Sequence, residues 1–95
     1  MMDEWESLFS PRILVRGMDY YESGAVMEMV RTEGGYRALV EGTEDYEVEI
    51  DIKDNQVQHM RCTCPYAAEG YNCKHMAAVL YEAEEGGVLE MSPTA

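Results

Sequence analysis

The chain has 95 residues, enough for one domain with a modest hydrophobic core that a bound metal would help to stabilise. Its 19 acidic residues against 7 lysines and arginines give a formal net charge of −12, which disfavours nucleic-acid binding because that function usually needs clustered cations. No segment approaches the roughly 18 apolar residues of a membrane span, and the first residues lack the basic and apolar regions of a secretion signal.

Residues 1–9 form the first predicted segment. Trp5, Leu8 and Phe9 recur at a spacing of three and four residues, which predicts a short helix that packs onto the domain. Docking of this segment elsewhere in a longer protein is the alternative. We favour packing within the chain, because ordered termini usually need such an anchor.

A first long helix is predicted from residue 10 onward. Ser10-Pro11 has the form of an N-cap followed by the first helical position, and Ser23-Gly24 predicts the end. Arg12 and Arg16 lie four residues apart on one exposed face of this helix. They are candidates for contacting an anionic ligand, unless they only offset neighbouring acidic residues.

Four strands are predicted next, joined by short turns that favour an antiparallel meander. They cover residues 25–33, 36–41, 46–53 and 56–62, and a two-residue Gly34-Gly35 turn joins the first two. Glu47, Glu49 and Asp51 alternate with apolar residues, which predicts one exposed acidic stripe. We interpret this stripe as a solvated face rather than a catalytic or calcium-binding site, because no cleft or EF-hand spacing accompanies it.

A second helix is predicted for residues 73–85, ended by Gly86-Gly87. Its inward side carries apolar residues at helical spacing: Met76, Ala77, Leu80 and Ala83. Residues 88–95 contain a proline and small polar residues, and predict a tail or linker. The expected organisation is therefore a segment at 1–9, one domain at 10–87 and a tail at 88–95.

The three cysteines and one of the two histidines fall within 14 positions, at Cys62, Cys64, Cys73 and His75. If residues 57–64 form a strand, Cys62 and Cys64 project from the same face. If Asn72 caps the second helix, Cys73 and His75 lie in its first turn, where the helix dipole favours a thiolate. Three thiolates and one imidazole complete a tetrahedral zinc site with no position left for water, so we expect a structural metal.

Other interpretations of these residues remain open. The cysteines could be buried core residues, or form one disulfide with a spare thiol, although an odd count fits a disulfide framework poorly. Thiol redox activity of the C-x-C pair is the enzymatic alternative. His59 is the rival histidine, but its side chain should point away from Cys62. Free thiols that can bind zinc suit a reducing cytosol, so we expect a cytoplasmic protein.

The pattern C-x-C, a short spacer and C-x-H resembles the SWIM zinc finger. The resemblance covers about residues 60–81 and includes Pro65-Tyr66, Lys74-His75 and the apolar run after them. It implies zinc ligands at Cys62, Cys64, Cys73 and His75. It also implies a non-catalytic module that binds DNA or proteins, usually inside a larger chain.

The predicted fold is α+β: an N-terminal helix, a four-stranded antiparallel meander, and a zinc-stabilised hairpin-helix end. The predicted function is recognition with one structural Zn²⁺, through a protein partner or adjoining domain, without a membrane or small-molecule substrate. DNA binding through a local basic and aromatic patch is the alternative. The candidate contact residues are Arg12, Arg16, Tyr66, Tyr71 and Lys74; we expect the two tyrosines to shield the metal rather than present an exposed contact.

Overall fold

The computed structural model of the protein describes residues 5–54 and 56–85. The elements in chain order are a single 3-10 turn at Trp5–Leu8, then α1 Pro11–Glu22, β1 Val26–Arg31, β2 Gly35–Glu41, β3 Asp45–Lys53, β4 Gln56–Cys62, α2 Pro65–Ala68 and α3 Lys74–Glu85. The four strands form one antiparallel sheet in the order β1-β2-β3-β4, so the α+β class and the meander are confirmed. Within the described ranges, no helix is long and apolar enough to cross a membrane.

Local sequence signals set both ends of α1. The Ser10 hydroxyl accepts a hydrogen bond from the Ile13 amide at 3.3 Å, and Pro11 takes the first helical position, where no amide hydrogen is needed. Gly24 adopts a φ of 81°, a left-handed conformation that glycine takes without strain, and ends the helix. The predicted start and end of this helix are confirmed.

The alternating pattern of β3 separates a buried face from a solvated one. Val48 and Ile50 are almost completely buried, whereas Glu47 and Asp51 are exposed on the opposite face. On that outer face the Arg61 guanidinium pairs with the Glu49 carboxylate across the β3–β4 ladder. The exposed acidic stripe therefore lies where the alternation predicted it.

The first hairpin differs from its prediction. β1 ends at Arg31 and β2 already begins at Gly35, so a two-residue Gly34-Gly35 turn is wrong. Gly35 pairs with Asp51, and a Cβ atom at Gly35 would lie only 1.8 Å from the Ile50 carbonyl oxygen. Glycine is therefore needed here for the close approach of β2 to β3, not for a turn.

The core lies between the inner face of the sheet and α3, which contacts all four strands, while α1 packs against α3. Trp5 is 1% exposed, and its ring packs edge-on against Phe9 and Tyr81, at centroid distances of 5.9 and 4.9 Å. Packing of the N-terminal segment within the chain is thus confirmed. The predicted stop at Gly86-Gly87 and the tail at 88–95 lie outside the described residues, and the domain boundaries stay predictions.

Candidate metal centre

The first two cysteines come from the end of β4 and the turn after it. Thr63 fixes this turn, because its hydroxyl accepts a hydrogen bond from the Glu47 amide at 3.0 Å. Cys64 lies beyond the strand as the N-cap of α2, and its sulfur accepts from the Ala67 amide at 3.5 Å. The predicted fourth strand over residues 56–62 is confirmed, whereas the condition that residues 57–64 form one strand is not met, because the strand ends at Cys62 and Pro65 begins a helix.

The other two candidate ligands lie at the start of α3. The Cys73 carbonyl accepts the first intrahelical hydrogen bond, from the Ala77 amide at 3.2 Å, which makes Cys73 the N-cap. Asn72 does not cap this helix as predicted; its side-chain amide donates to the Leu8 carbonyl at 2.9 Å. Asn72 therefore connects the loop before α3 to the N-terminal segment.

The four side chains converge on one point. One ligand atom from each of Cys62, Cys64, Cys73 and His75 lies within 4.8 Å of the other three. His75 Nδ1 is 3.7 Å from both the Cys62 and the Cys73 sulfur atoms. A tetrahedral zinc with Zn–S near 2.3 Å and Zn–N near 2.0–2.1 Å requires N···S separations of about 3.6 Å. The spacing of the donor atoms therefore fits a tetrahedral zinc ion.

The electrostatics of the cluster favour metal binding. A hydrogen bond from Cys62, with a further one from His75, lowers the pKa of Cys73. The same interaction with Cys73, together with burial, raises the pKa of Cys62. Two close thiols cannot both ionise easily without a cation between them, so Zn²⁺ would displace the proton that Cys62 otherwise retains.

Aromatic rings hold the imidazole of His75. Tyr46 stacks on it at 4.5 Å between centroids, and Tyr20 packs edge-on at 5.3 Å. His75 Nε2 is buried and has no hydrogen-bond partner among the described residues. The sequence reasoning missed Tyr46, although its inward position in the alternation of β3 was the available signal.

The rival histidine is well separated from the cluster. His59 lies on the outer face of β4, with its Nδ1 at 4.0 Å from the Asp51 carboxylate. Cys62 belongs to the opposite, inner side of the same strand. The expectation that His59 points away from Cys62 is therefore confirmed.

Four of the five predicted contact residues share one cavity beside the cluster. Arg12, Arg16, Tyr66 and Lys74 line a cavity of about 390 Å³ whose wall also includes Cys64, Cys73 and His75. Tyr71 instead lines a separate groove along β4. The cavity therefore joins residues from α1, α2 and the start of α3.

The two tyrosines of the α2 region contact each other. The rings of Tyr66 and Tyr71 stack on each other at 5.0 Å, and the two residues are 47% and 56% exposed. Tyr20 and Tyr46 contact His75 in their place. The exposed stacking favours the alternative of an exposed contact, and shielding of the metal by Tyr66 and Tyr71 stays a prediction.

Residues 46–84, from β3 to the end of α3, match the family model of the SWIM zinc finger. This match covers all four clustered side chains. This segment is therefore similar to a SWIM zinc finger, and its Cys and His spacing fits the C-x-C…C-x-H pattern. Its Cys3His cluster is compatible with one structural Zn²⁺, and a SWIM zinc finger is a binding module that is not typically catalytic.

The chain is also similar to an uncharacterized protein, MJ1493, of Methanocaldococcus jannaschii. The two are 29% identical over 82 residues, which cover 86% of this chain and 33% of the relative. The chain thus spans about a third of the length of that relative. No solved structure matches the chain.

Proposed function

We propose that the protein is a non-catalytic recognition module in which Cys62, Cys64, Cys73 and His75 bind one zinc ion. The observation that carries this proposal is the converging set of three sulfur atoms and one imidazole nitrogen. Four such ligands fill a tetrahedral shell, which leaves no position for a catalytic water. The metal would act as a cross-link between the end of β4 and the start of α3.

A protein partner is the favoured target. Tyr66 and Tyr71 form an exposed stacked pair on the segment between the two pairs of zinc ligands. Tyrosine is enriched in protein–protein interfaces because it combines a large apolar ring with a polar group. The net charge of −12 also favours a protein partner over a polyanion. The zinc cross-link would hold the segment that carries the pair in place.

Affinity capture tests the protein-partner proposal. Zinc-loaded protein serves as bait in an extract of its native organism, and quantitative mass spectrometry identifies retained proteins. We expect specific partners that the Tyr66→Ala/Tyr71→Ala double variant loses and that Val15→Ala retains, since Val15 is 63% exposed on α1. Retention of the same proteins by both variants would contradict a contact through the tyrosine pair.

DNA binding is the second candidate, because Arg12, Arg16 and Lys74 line one cavity despite the acidic composition. Phosphate contacts weaken steeply with salt. A fluorescence anisotropy titration with single- and double-stranded DNA at several salt concentrations tests this function. Salt-sensitive binding that Arg16→Gln weakens would support it, whereas no binding at low salt would remove it.

Thiol redox activity is the enzymatic alternative for Cys62 and Cys64. Zinc ligation would occupy both sulfurs, and thiol–disulfide exchange requires a free thiolate. We therefore expect no turnover of a disulfide substrate by the zinc-loaded protein. Turnover at full zinc occupancy would contradict the non-catalytic assignment.

A further inference from the structure

The cavity beside the metal centre concentrates positive charge in an acidic protein. Three of the 7 lysines and arginines of the chain, Arg12, Arg16 and Lys74, line it. Among the described residues, no aspartate or glutamate lines it, although the chain has 19. The wall of this cavity is therefore positively charged, whereas the protein as a whole is negatively charged.

Close packing of two helices brings these cations together. Gly17 lies against the start of α3, where a Cβ atom at this position would be 3.2 Å from the Lys74 carbonyl oxygen. Arg16 is adjacent to Gly17, and Arg12 lies one helical turn earlier on the same side. The short distance between the backbones therefore places Arg12 and Arg16 on the wall of the same cavity as Lys74, which is distant in sequence.

The three cations are available to a ligand. Within residues 5–54 and 56–85, neither Arg12 nor Arg16 forms an ion pair with a carboxylate. The Lys74 ammonium lies 5.2 Å from the centre of the Tyr20 ring, a cation–π contact that fixes the side chain without neutralising its charge. An anion in the cavity would thus meet three cations that form no ion pair with a described carboxylate.

The size of the cavity and the surrounding charge define the class of ligand. A volume of about 390 Å³ is at the small end of the range for small-molecule sites. A long polyanion would extend past this cavity onto a surface with a net charge of −12, and repulsion would oppose it. A compact anion keeps its charge within the cavity and avoids that repulsion.

The number and type of cations favour phosphate over carboxylate. A phosphate monoester carries a charge of about −1.5 to −2 at neutral pH and three acceptor oxygens. Guanidinium groups match such oxygens with paired hydrogen bonds, and lysine adds a point charge. A carboxylate has one charge and two oxygens, so it would leave part of this set unused.

We propose that the cavity binds a small phosphate monoester, whose phosphate group lies among Arg12, Arg16 and Lys74 and whose organic part packs beside Tyr66. This site shares part of its wall with the metal cluster and shares Tyr66 with the exposed tyrosine pair, but its ligand would be bound by the three cations rather than by thiolates. It adds a small anionic ligand to a module for which we had expected no small-molecule partner.

Isothermal titration of the zinc-loaded full chain with AMP, ribose 5-phosphate and adenosine tests the site. AMP and adenosine differ only by the phosphate, so we expect saturable binding of AMP and ribose 5-phosphate and at least about tenfold weaker binding of adenosine. Arg12→Gln and Arg16→Gln should each weaken AMP binding about tenfold. Both residues are exposed, and zinc content with far-UV circular dichroism checks that each variant is folded.

Arg37→Gln is the matched control, because it removes the same charge from the exposed outer face of β2. We expect it to change AMP affinity by less than about twofold, as exposed distant charges are screened by salt. Equal weakening by Arg37→Gln and Arg16→Gln would overturn the proposal, as would equal affinities for AMP and adenosine. Absence of AMP binding, or tighter binding of a DNA oligonucleotide than of AMP, would also overturn it.

Discussion

Gly17→Ala tests the contact between α1 and α3, because a decrease or an increase in the free energy of unfolding distinguishes a close contact from an open one. A Cβ atom at Gly17 would lie 2.5 Å from the Ala77 Cβ atom, closer than two methyl groups can approach. It would also lie 3.2 Å from the Ala78 backbone nitrogen, so side-chain movement alone cannot relieve the clash. Gly17→Ala therefore has to push α3 away from α1.

Two opposing effects determine how much Gly17→Ala changes the free energy of unfolding. Replacing glycine by alanine within a helix stabilises it by about 1 kcal/mol when nothing obstructs the methyl group. Overpacking a well-packed contact costs about 1–3 kcal/mol. We expect the steric cost to dominate, with a net loss of up to about 2 kcal/mol in the free energy of unfolding. In a domain of this size, each 1 kcal/mol lowers Tm by about 4–8 °C.

Thermal unfolding followed by far-UV circular dichroism at a fixed zinc concentration measures this loss. A double-mutant cycle with Ala77→Gly isolates the contact, because that variant removes the opposing methyl group. We expect a favourable coupling of at least about 0.5 kcal/mol in the Gly17→Ala/Ala77→Gly variant. A Gly17→Ala protein about 1 kcal/mol more stable than the wild type, with no coupling to Ala77→Gly, would refute the close-packing argument.

Three further changes test the core and the electrostatics of the sheet. Trp5→Ala should cost about 3–5 kcal/mol in chemical denaturation, whereas Leu8→Ala, 42% exposed, should cost far less; equal costs would contradict the packing of the N-terminal segment. The hydrogen bond and the charge of Arg61 lower the pKa of Glu49, so the contribution of this ion pair to stability is present above the ordinary value of 4.5 and is lost as pH falls. An NMR titration should show a higher pKa of Glu49 in Arg61→Gln, and an unchanged pKa would contradict the ion pair. Burial raises the pKa of Tyr36, so the contribution of the buried neutral phenol to stability is full below the ordinary value of 10.0 and is lost as pH rises past it. In urea unfolding, Tyr36→Phe should therefore lose less stability above about pH 10 than the wild type does. An equal loss would contradict burial of the phenol.

Features that depend on neighbouring residues in the sequence could be predicted. The cap at Ser10-Pro11, the left-handed Gly24 and the alternation of β3 are local, so the pattern indicated α1 and the sheet correctly. The role of Gly35 could not be predicted in this way. Its requirement for glycine comes from the Ile50 carbonyl on another strand, whereas a Gly-Gly pair alone indicates a turn.

The candidate metal site likewise has features that could be predicted from the sequence and features that could not. The spacing of Cys62, Cys64, Cys73 and His75 was sufficient to predict that they converge, and the structure brings them together. The cap of α3 was assigned incorrectly to Asn72 and no cap was predicted at Cys64, because Cys64 and Cys73 occupy cap positions that usually hold residues such as asparagine. A metal-binding thiolate can accept amide hydrogen bonds in the same way.

The cavity beside the metal site could be recognised only from the tertiary structure. Arg12 and Arg16 were recognised as a basic pair from their helical spacing, but their proximity to Lys74 depends on how closely α1 and α3 pack. Tyr46 was likewise missed, since its contact with His75 joins β3 to α3. Nonlocal contacts of this kind leave no pattern within a single segment.

Zinc stoichiometry tests the central claim most directly. Protein purified in reducing buffer is measured by mass spectrometry for zinc per chain, alongside Cys62→Ser and His59→Ala, the latter altering the histidine on the outer face of the sheet. We predict one zinc per chain in the wild type and in His59→Ala, and loss of zinc with unfolding of the C-terminal half in Cys62→Ser. A wild-type chain that contains no zinc in reducing buffer and keeps its fold would contradict the account.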